Sequence, residues 1–170
     1  QLNRSNAIIY SGVFNSRTGF NETNVFSVGE TISVALDPSH GSIQKLYALD
    51  NNLTIFQENK VSKSLIDKDA IYSAEGGQTP VSSLTQVIGQ NVPYLGNYGI
   101  SKNPESFATF GFRRYFADKY RGKVMRLSRD GLSEISAVGM EDFFRDQSEL
   151  IEDNFKRYNV VTSSGTAAGS

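Results

Sequence analysis

The densest set of residues that could do chemistry lies between positions 112 and 129, where basic residues alternate with aromatic ones. Cations that follow a phosphate backbone beside rings that stack on bases are typical of single-strand nucleic-acid binders. Two antiparallel strands that bury their aromatic side chains and expose their cations produce the same spacing. The members of this basic-aromatic set are Arg113, Arg114, Tyr115, Lys119, Tyr120, Arg121, Lys123, Arg126 and Arg129.

Acidic residues inside the same stretch decide how much of this positive charge is available to a ligand. Asp118, Asp130 and Glu134 lie close enough in sequence to pair with some of the cations. Arginine also binds carboxylates in a two-pronged geometry, which favours it at contacts with an acidic neighbouring subunit. We therefore interpret the set as a subunit contact, with glycan or single-stranded nucleic-acid binding as the alternative.

Residues for catalysis or metal binding are sparse. The chain has one histidine, His40, in a turn, and no cysteine, which excludes Cys-His catalysis and thiolate metal sites. Asp67 and Asp69 could hold a cation or flank a sugar, but Lys63 and Lys68 beside them favour a solvated edge. We predict no enzyme, no cofactor and no metal.

Composition and charge do not point to nucleic acid or a membrane as the binding partner. Lys and Arg number 17 against 18 Asp and Glu, so no global field attracts nucleic acid or an anionic membrane. No apolar run approaches the roughly 20 residues of a membrane span. Because the chain begins with Gln1 and has no signal segment, we expect a fragment of a longer protein.

The elements that must position the basic set are predicted to be antiparallel strands. Asp130-Gly131 lies between two apolar runs and predicts a hairpin turn, and Asp50 to Asn52 predicts another. Residues rich in β-branched and aromatic types predict further strands. These cover residues 7–14, 25–28, 31–36, 42–49 and 53–57, with another at 81–92 inside a polar insertion at 74–104.

A strand-turn-strand pattern occurs twice. Residues 47–61, beginning Tyr47-Ala48-Leu49-Asp50, align with residues 115–132, beginning Tyr115-Phe116-Ala117-Asp118. Repeated antiparallel modules are typical of β-propeller blades, and chance similarity between hairpins is the alternative. The predicted fold is therefore mainly β, with propeller-blade-like hairpins.

Near the C-terminus, the spacing of the apolar residues changes to that of a helix. Met140, Phe143, Phe144, Ile151 and Phe155 fall on one helical face, helped by Leu150, which predicts an amphipathic helix at about 140–156. Residues 162–170 have the composition of a flexible tail or linker. We expect one β-rich structural domain over residues 1–161.

A long pattern of residue types extends across residues 99–144. Its positions are Gly99, Asn103, Pro104, Glu105, Ser106, Tyr115, Phe116, Asp118, Arg121, Gly122, Val124, Arg126, Leu127, Ser128, Asp130, Gly131, Ile135, Ser136, Met140, Phe143 and Phe144. This pattern resembles a segment of structural proteins of tailed bacteriophages, with similarity to virion proteins of crAss-like and related short-tailed phages. The upstream residues 8–15 and 50–61 are also similar to that group.

The resemblance implies a portal-adjacent or tail subunit in the virion, built from antiparallel sheet and assembled into a homo-oligomeric ring without a cofactor. It implies other virion structural proteins as partners, and no nucleic acid or membrane span is expected. Such proteins are usually much longer than 170 residues, so the chain would be one part of a larger subunit.

Overall fold

The computed structural model describes residues 3–12, 14–28, 32–66, 68–72, 78–82 and 87–164. These residues form antiparallel sheets and one C-terminal helix, which confirms the predicted mainly β class. The chain divides into two compact units, Gln1–Gly99 and Ile100–Ser170.

The first unit is built around a four-stranded antiparallel sheet with the strand order β10-β7-β6-β5. Two-stranded ladders join β1 to β4, β2 to β3 and β8 to β9. The ten strands are β1 Ala7–Ile9, β2 Phe14–Asn15, β3 Phe20–Asn21, β4 Ser33–Ala35, β5 Ile43–Leu49, β6 Asn52–Gln57, β7 Val61–Ile66, β8 Lys68–Tyr72, β9 Gln78–Ser82 and β10 Ile88–Pro93.

The core of this unit joins residues that are far apart in sequence. Ile8, Leu36, Ile55 and Ile88 are buried against one another. They come from strand β1, the position directly after β4, the central strand β6 and the edge strand β10. Asp50 turns the chain between β5 and β6 in the left-handed region, with φ at 52°, as its residue type predicts. Burial of these apolar side chains stabilises the sheet.

Three strand predictions in this unit need correction. Residues 7–14 form β1 and the start of β2 rather than one strand, and residues 25–28 form no strand. Phe26 and Val28 are exposed, so these β-favouring residues have no half-buried surface to fit. The predicted strand at 81–92 corresponds to the end of β9 and most of β10, with residues 83–86 outside the described part of the chain.

The second unit contains a four-stranded sheet whose strands follow one another along the chain. The turn from β13 to β14 is centred on Arg129 and Asp130, because Gly131 already pairs with Ser128. The predicted Asp-Gly turn is therefore shifted by one residue, and Gly131 carries the positive φ of 116°. The elements are β11 Ala108–Phe110, β12 Arg113–Asp118, β13 Lys123–Ser128, β14 Gly131–Glu134 and α1 Glu141–Ser164.

Helix α1 is longer than its sequence pattern predicts. It starts with Glu141 and Asp142 in its first turn, which suits the positive end of the helix dipole. It continues to Ser164 and so includes residues 162–164, which composition assigned to a linker. The segment contains no glycine or proline before Gly165, so no residue type interrupts the helix.

The two copies of the repeated pattern occupy equivalent strands. Strands β5, β6 and β7 form one antiparallel set, and β12, β13 and β14 form the other. The described residues form no closed barrel or propeller, and the blade-like arrangement remains a prediction. No helix in the described part of the chain combines the length and apolarity that a membrane crossing needs.

Candidate functional site

The basic-aromatic set is spread over the whole length of the second sheet. Arg113, Arg114 and Tyr115 begin strand β12, and Lys123 and Arg126 lie on β13. Lys119, Tyr120 and Arg121 form the β12–β13 turn, whereas Arg129 belongs to the β13–β14 turn at the opposite end of the strands. With about 3.3 Å per residue, the six residues of β12 separate the two ends by about 17 Å.

Three cations near the β12–β13 turn are held in ion pairs. Arg121 binds Asp118 at 2.8 Å, and Lys123 binds Glu134 at 2.9 Å, two of the partners that the sequence indicates. Lys119 lies 3.5 Å from Glu152 on helix α1. This end of the sheet therefore carries little uncompensated positive charge.

Asp118 anchors the same turn from inside the protein. Its side chain is fully buried and accepts a hydrogen bond from Ser101 Oγ at 2.9 Å. Ser101 Oγ in turn accepts from the backbone N–H of Tyr120 at 3.1 Å. Ser101 is held at a positive φ of 54°, a backbone conformation that is unfavourable for serine. Its hydroxyl and the Arg121 guanidinium both bind Asp118, and together they hold the β12–β13 turn.

Helix α1 crosses the β12–β13 turn at very short distance. A Cβ atom on Gly122 would lie 2.9 Å from the Cα of Arg145, and Gly122 has a φ of 62°. Glycine is the residue that both adopts this left-handed φ without strain and leaves room for the helix backbone. Further along the helix, Lys156 donates to Glu152 at 2.9 Å, and this bond, with the charge of Lys119, lowers the pKa of the Glu152 carboxyl below its ordinary value.

In the middle of the sheet, cations and aromatic rings lie on the same faces. Tyr115 lies directly opposite Arg126 on one face, while Arg114 shares the other face with the buried Phe116. The Nε atom of Arg126 is buried and has no hydrogen-bond partner among the described residues. Burial of aromatic residues on one face and exposure of cations on the other therefore accounts for Phe116, but it does not account for Tyr115, which shares its face with Arg126.

At the far end, the β11–β12 turn presents two phenylalanine rings to solvent. Phe110 is 78% exposed and Phe112 is 74% exposed, on either side of Gly111, whose φ is 58°. The guanidinium of Arg129 lies over the Phe112 ring, 5.7 Å from its centroid. We call Phe110, Phe112, Arg113 and Arg129 the aromatic tip.

The clefts near α1 are small. One of about 220 Å³ is lined by Lys102, Ala117 and Ile151 among others, and one of about 200 Å³ is lined by Tyr120 and Glu149 among others. Both are below the roughly 300 Å³ at which pockets for drug-sized ligands begin. No group of three or more metal-binding side chains occurs in the part of the chain that the structure describes. Asp67 lies outside the described residues, and of Asp69 only the backbone, in β8, is described.

Sequence reasoning missed two residues of this region. Phe110 lies outside the basic-aromatic set, although the glycine that follows it allows the positive φ of a tight turn. Ser101 gave no signal, because its partner Asp118 is 17 positions away.

Comparison of the chain with family models, with curated proteins and with solved structures finds no match.

Proposed function

We propose that this chain is a structural subunit, or a part of one, in the tail or portal-adjacent region of a tailed-bacteriophage virion, and that it acts through protein–protein contacts. The phage assignment is supported by the resemblance of residues 99–144 to virion structural proteins. The aromatic tip is the observation that carries the proposal of a contact role, because Phe110 and Phe112, separated by one glycine, are both more than 70% exposed there.

Large apolar rings at a hairpin tip are costly to leave in water and mark sites of interaction. Aromatic residues and arginine are also enriched at the energetic centres of protein interfaces. The aromatic tip combines both, since Arg113 is exposed and Arg129 stacks on Phe112. This composition favours a contact with a second protein surface.

The alternative of single-strand nucleic-acid binding needs cations that can reach phosphates. Lys119, Arg121 and Lys123 are instead paired with Glu152, Asp118 and Glu134. Binding to phosphates would have to break these pairs. The pairing therefore weighs against a backbone-tracking groove along this sheet.

Mass photometry and sedimentation velocity test the proposal. We expect the chain to associate, either with itself or with co-expressed portal and tail proteins, as its concentration rises. A strict monomer both alone and with those partners would contradict the proposal. A labelled single-stranded oligonucleotide should show no salt-dependent binding, and binding that Arg121→Ala weakens would support the alternative instead.

A further inference from the structure

The second unit carries two exposed apolar surfaces of opposite charge. The first is the aromatic tip, whose two turns, over residues 110–113 and 128–131, contain two arginines, Arg113 and Arg129, and one carboxylate, Asp130. The second lies on helix α1 near the β12–β13 end of the sheet, where the helix contacts Gly122 and Lys119.

The outward side of helix α1 carries exposed apolar side chains with acidic side chains beside them. Phe143 is 51% exposed and Leu150 is 53% exposed, and they lie seven residues apart, which places them on one side of the helix. Asp146 and Asp153 each follow one of them by three residues and so border the same side. We call these four residues the acid-edged stripe.

The contacts of α1 with the sheet leave this stripe uncovered by the second unit. Arg145 approaches Gly122, and Glu152 pairs with Lys119. At 100° per residue, these two positions lie on the opposite side of the helix from Phe143 and Leu150. Residues 141–153 hold six carboxylates and one arginine. Arg145 pairs with Asp142 and Asp146, so the region around the stripe keeps a net negative charge, and Asp153 is the aspartate of the stripe without an ion pair to Arg145.

We propose that the aromatic tip of one copy of this chain binds the acid-edged stripe of helix α1 on a second copy. The inference rests on the proposed structural role and names its contact surfaces. Each surface offers what the other needs, because the rings of Phe110 and Phe112 can cover Phe143 and Leu150 while arginines meet the aspartates.

Charge favours this pairing over contacts between identical surfaces. Two acid-edged stripes would bring carboxylates together, and two aromatic tips would bring Arg113 and Arg129 together, and both arrangements are repulsive. Contact between the two different surfaces avoids both penalties. The contact joins two different surfaces in a head-to-tail arrangement, so a copy that uses its tip on one neighbour keeps its stripe free for another, and the assembly extends into a ring or a filament.

Two double variants test the contact by sedimentation velocity over a concentration series. The tip variant carries Phe112→Ser and Arg113→Glu, and the stripe variant carries Leu150→Ser and Asp153→Lys. We expect the wild-type chain to form species larger than dimers. Each variant alone should lose affinity by about 30-fold or more, as removal of interface anchors does.

A mixture of the tip variant and the stripe variant tests the head-to-tail arrangement directly. The tip variant keeps its stripe and the stripe variant keeps its tip, so one intact contact remains in the mixture. We expect equimolar variants to form a one-to-one dimer and nothing larger. All four substituted side chains are on exposed or part-exposed positions, and circular dichroism of each variant verifies that the fold is retained.

The control variant carries Arg4→Glu and Phe20→Ser, which are exposed in the first unit, and should associate like the wild type. Unchanged association of the tip or the stripe variant would overturn this contact while leaving the proposed structural role standing. A mixture that stays monomeric would overturn the head-to-tail arrangement. A wild-type chain that is monomeric alone would also overturn the inference, whereas the structural role fails only if other virion proteins are not bound either.

Discussion

Replacement of the buried Asp118 tests whether the β12–β13 turn is held by its internal network. Asp118→Ala removes an acceptor for Ser101 Oγ at 2.9 Å and the ion pair with Arg121 at 2.8 Å. A hydrogen bond to a charged group contributes about 1.5–3 kcal/mol. The Arg121 side chain is 32% exposed, so its share is reduced by solvent screening. We expect a loss of about 3 kcal/mol in the free energy of unfolding of the second unit.

A double-mutant cycle with Ser101→Ala isolates the hydrogen bond. Alanine keeps the positive φ of Ser101, so the single change removes only the hydroxyl, and the coupling energy with Asp118→Ala should be about 1 kcal/mol. Asp118→Asn keeps the shape and one acceptor, and its cost should be about half that of alanine.

Urea unfolding followed by circular dichroism measures these free energies, since the chain has no tryptophan to report by fluorescence. Hydrogen exchange gives the local readout, because the Tyr120 amide donates to Ser101 Oγ and should lose protection in both single variants. Additive effects in the cycle, or a cost below about 1 kcal/mol for Asp118→Ala, would refute the reasoning.

Two further expectations concern helix α1. Gly122→Ala should lower the free energy of unfolding by about 3 kcal/mol in urea denaturation, because its Cβ would meet the Arg145 backbone and its φ is left-handed. Gly139→Ala, with a positive φ but open space around it, should cost only about 1 kcal/mol, and equal costs would contradict the close approach. The pKa of Glu152 lies below its ordinary value of 4.5 because Lys156 binds it and Lys119 is near. The stability from these contacts is thus present above pH 4.5 and is lost as the pH falls through the lowered value. Lys156→Met should raise the Glu152 pKa in an NMR titration, and an unchanged pKa would argue against the pair.

The antiparallel class and the central hairpins follow from local sequence features. Asp50 tolerates the left-handed backbone that its turn adopts, and the β-branched and aromatic residues within 43–57 favour the strands on either side. The sequence also predicts that some of the cations pair with Asp118, Asp130 or Glu134, and the ion pairs Arg121–Asp118 and Lys123–Glu134 agree with this.

The features that sequence did not predict depend on distant neighbours. Residues 25–28 have β-favouring side chains but no partner strand, and propensity alone does not form a ladder. The bond between Ser101 and Asp118 and the approach of Arg145 to Gly122 join positions that no local pattern connects. The outward direction of Phe143 and Leu150 follows from which side of the helix the sheet occupies.

Strand β10 has a consequence for the order in which the chain folds. The second sheet is a meander of consecutive strands, so each new strand needs closure of a short loop only. Strand β10 must instead return to β7 across residues 67–87, and a longer closure costs more chain entropy and slows folding. The β8–β9 ladder lies within that segment, and β8 contacts both β7 and β10. Early formation of the β8–β9 ladder would shorten the effective loop, so this ladder guides strand β10 to its place beside β7.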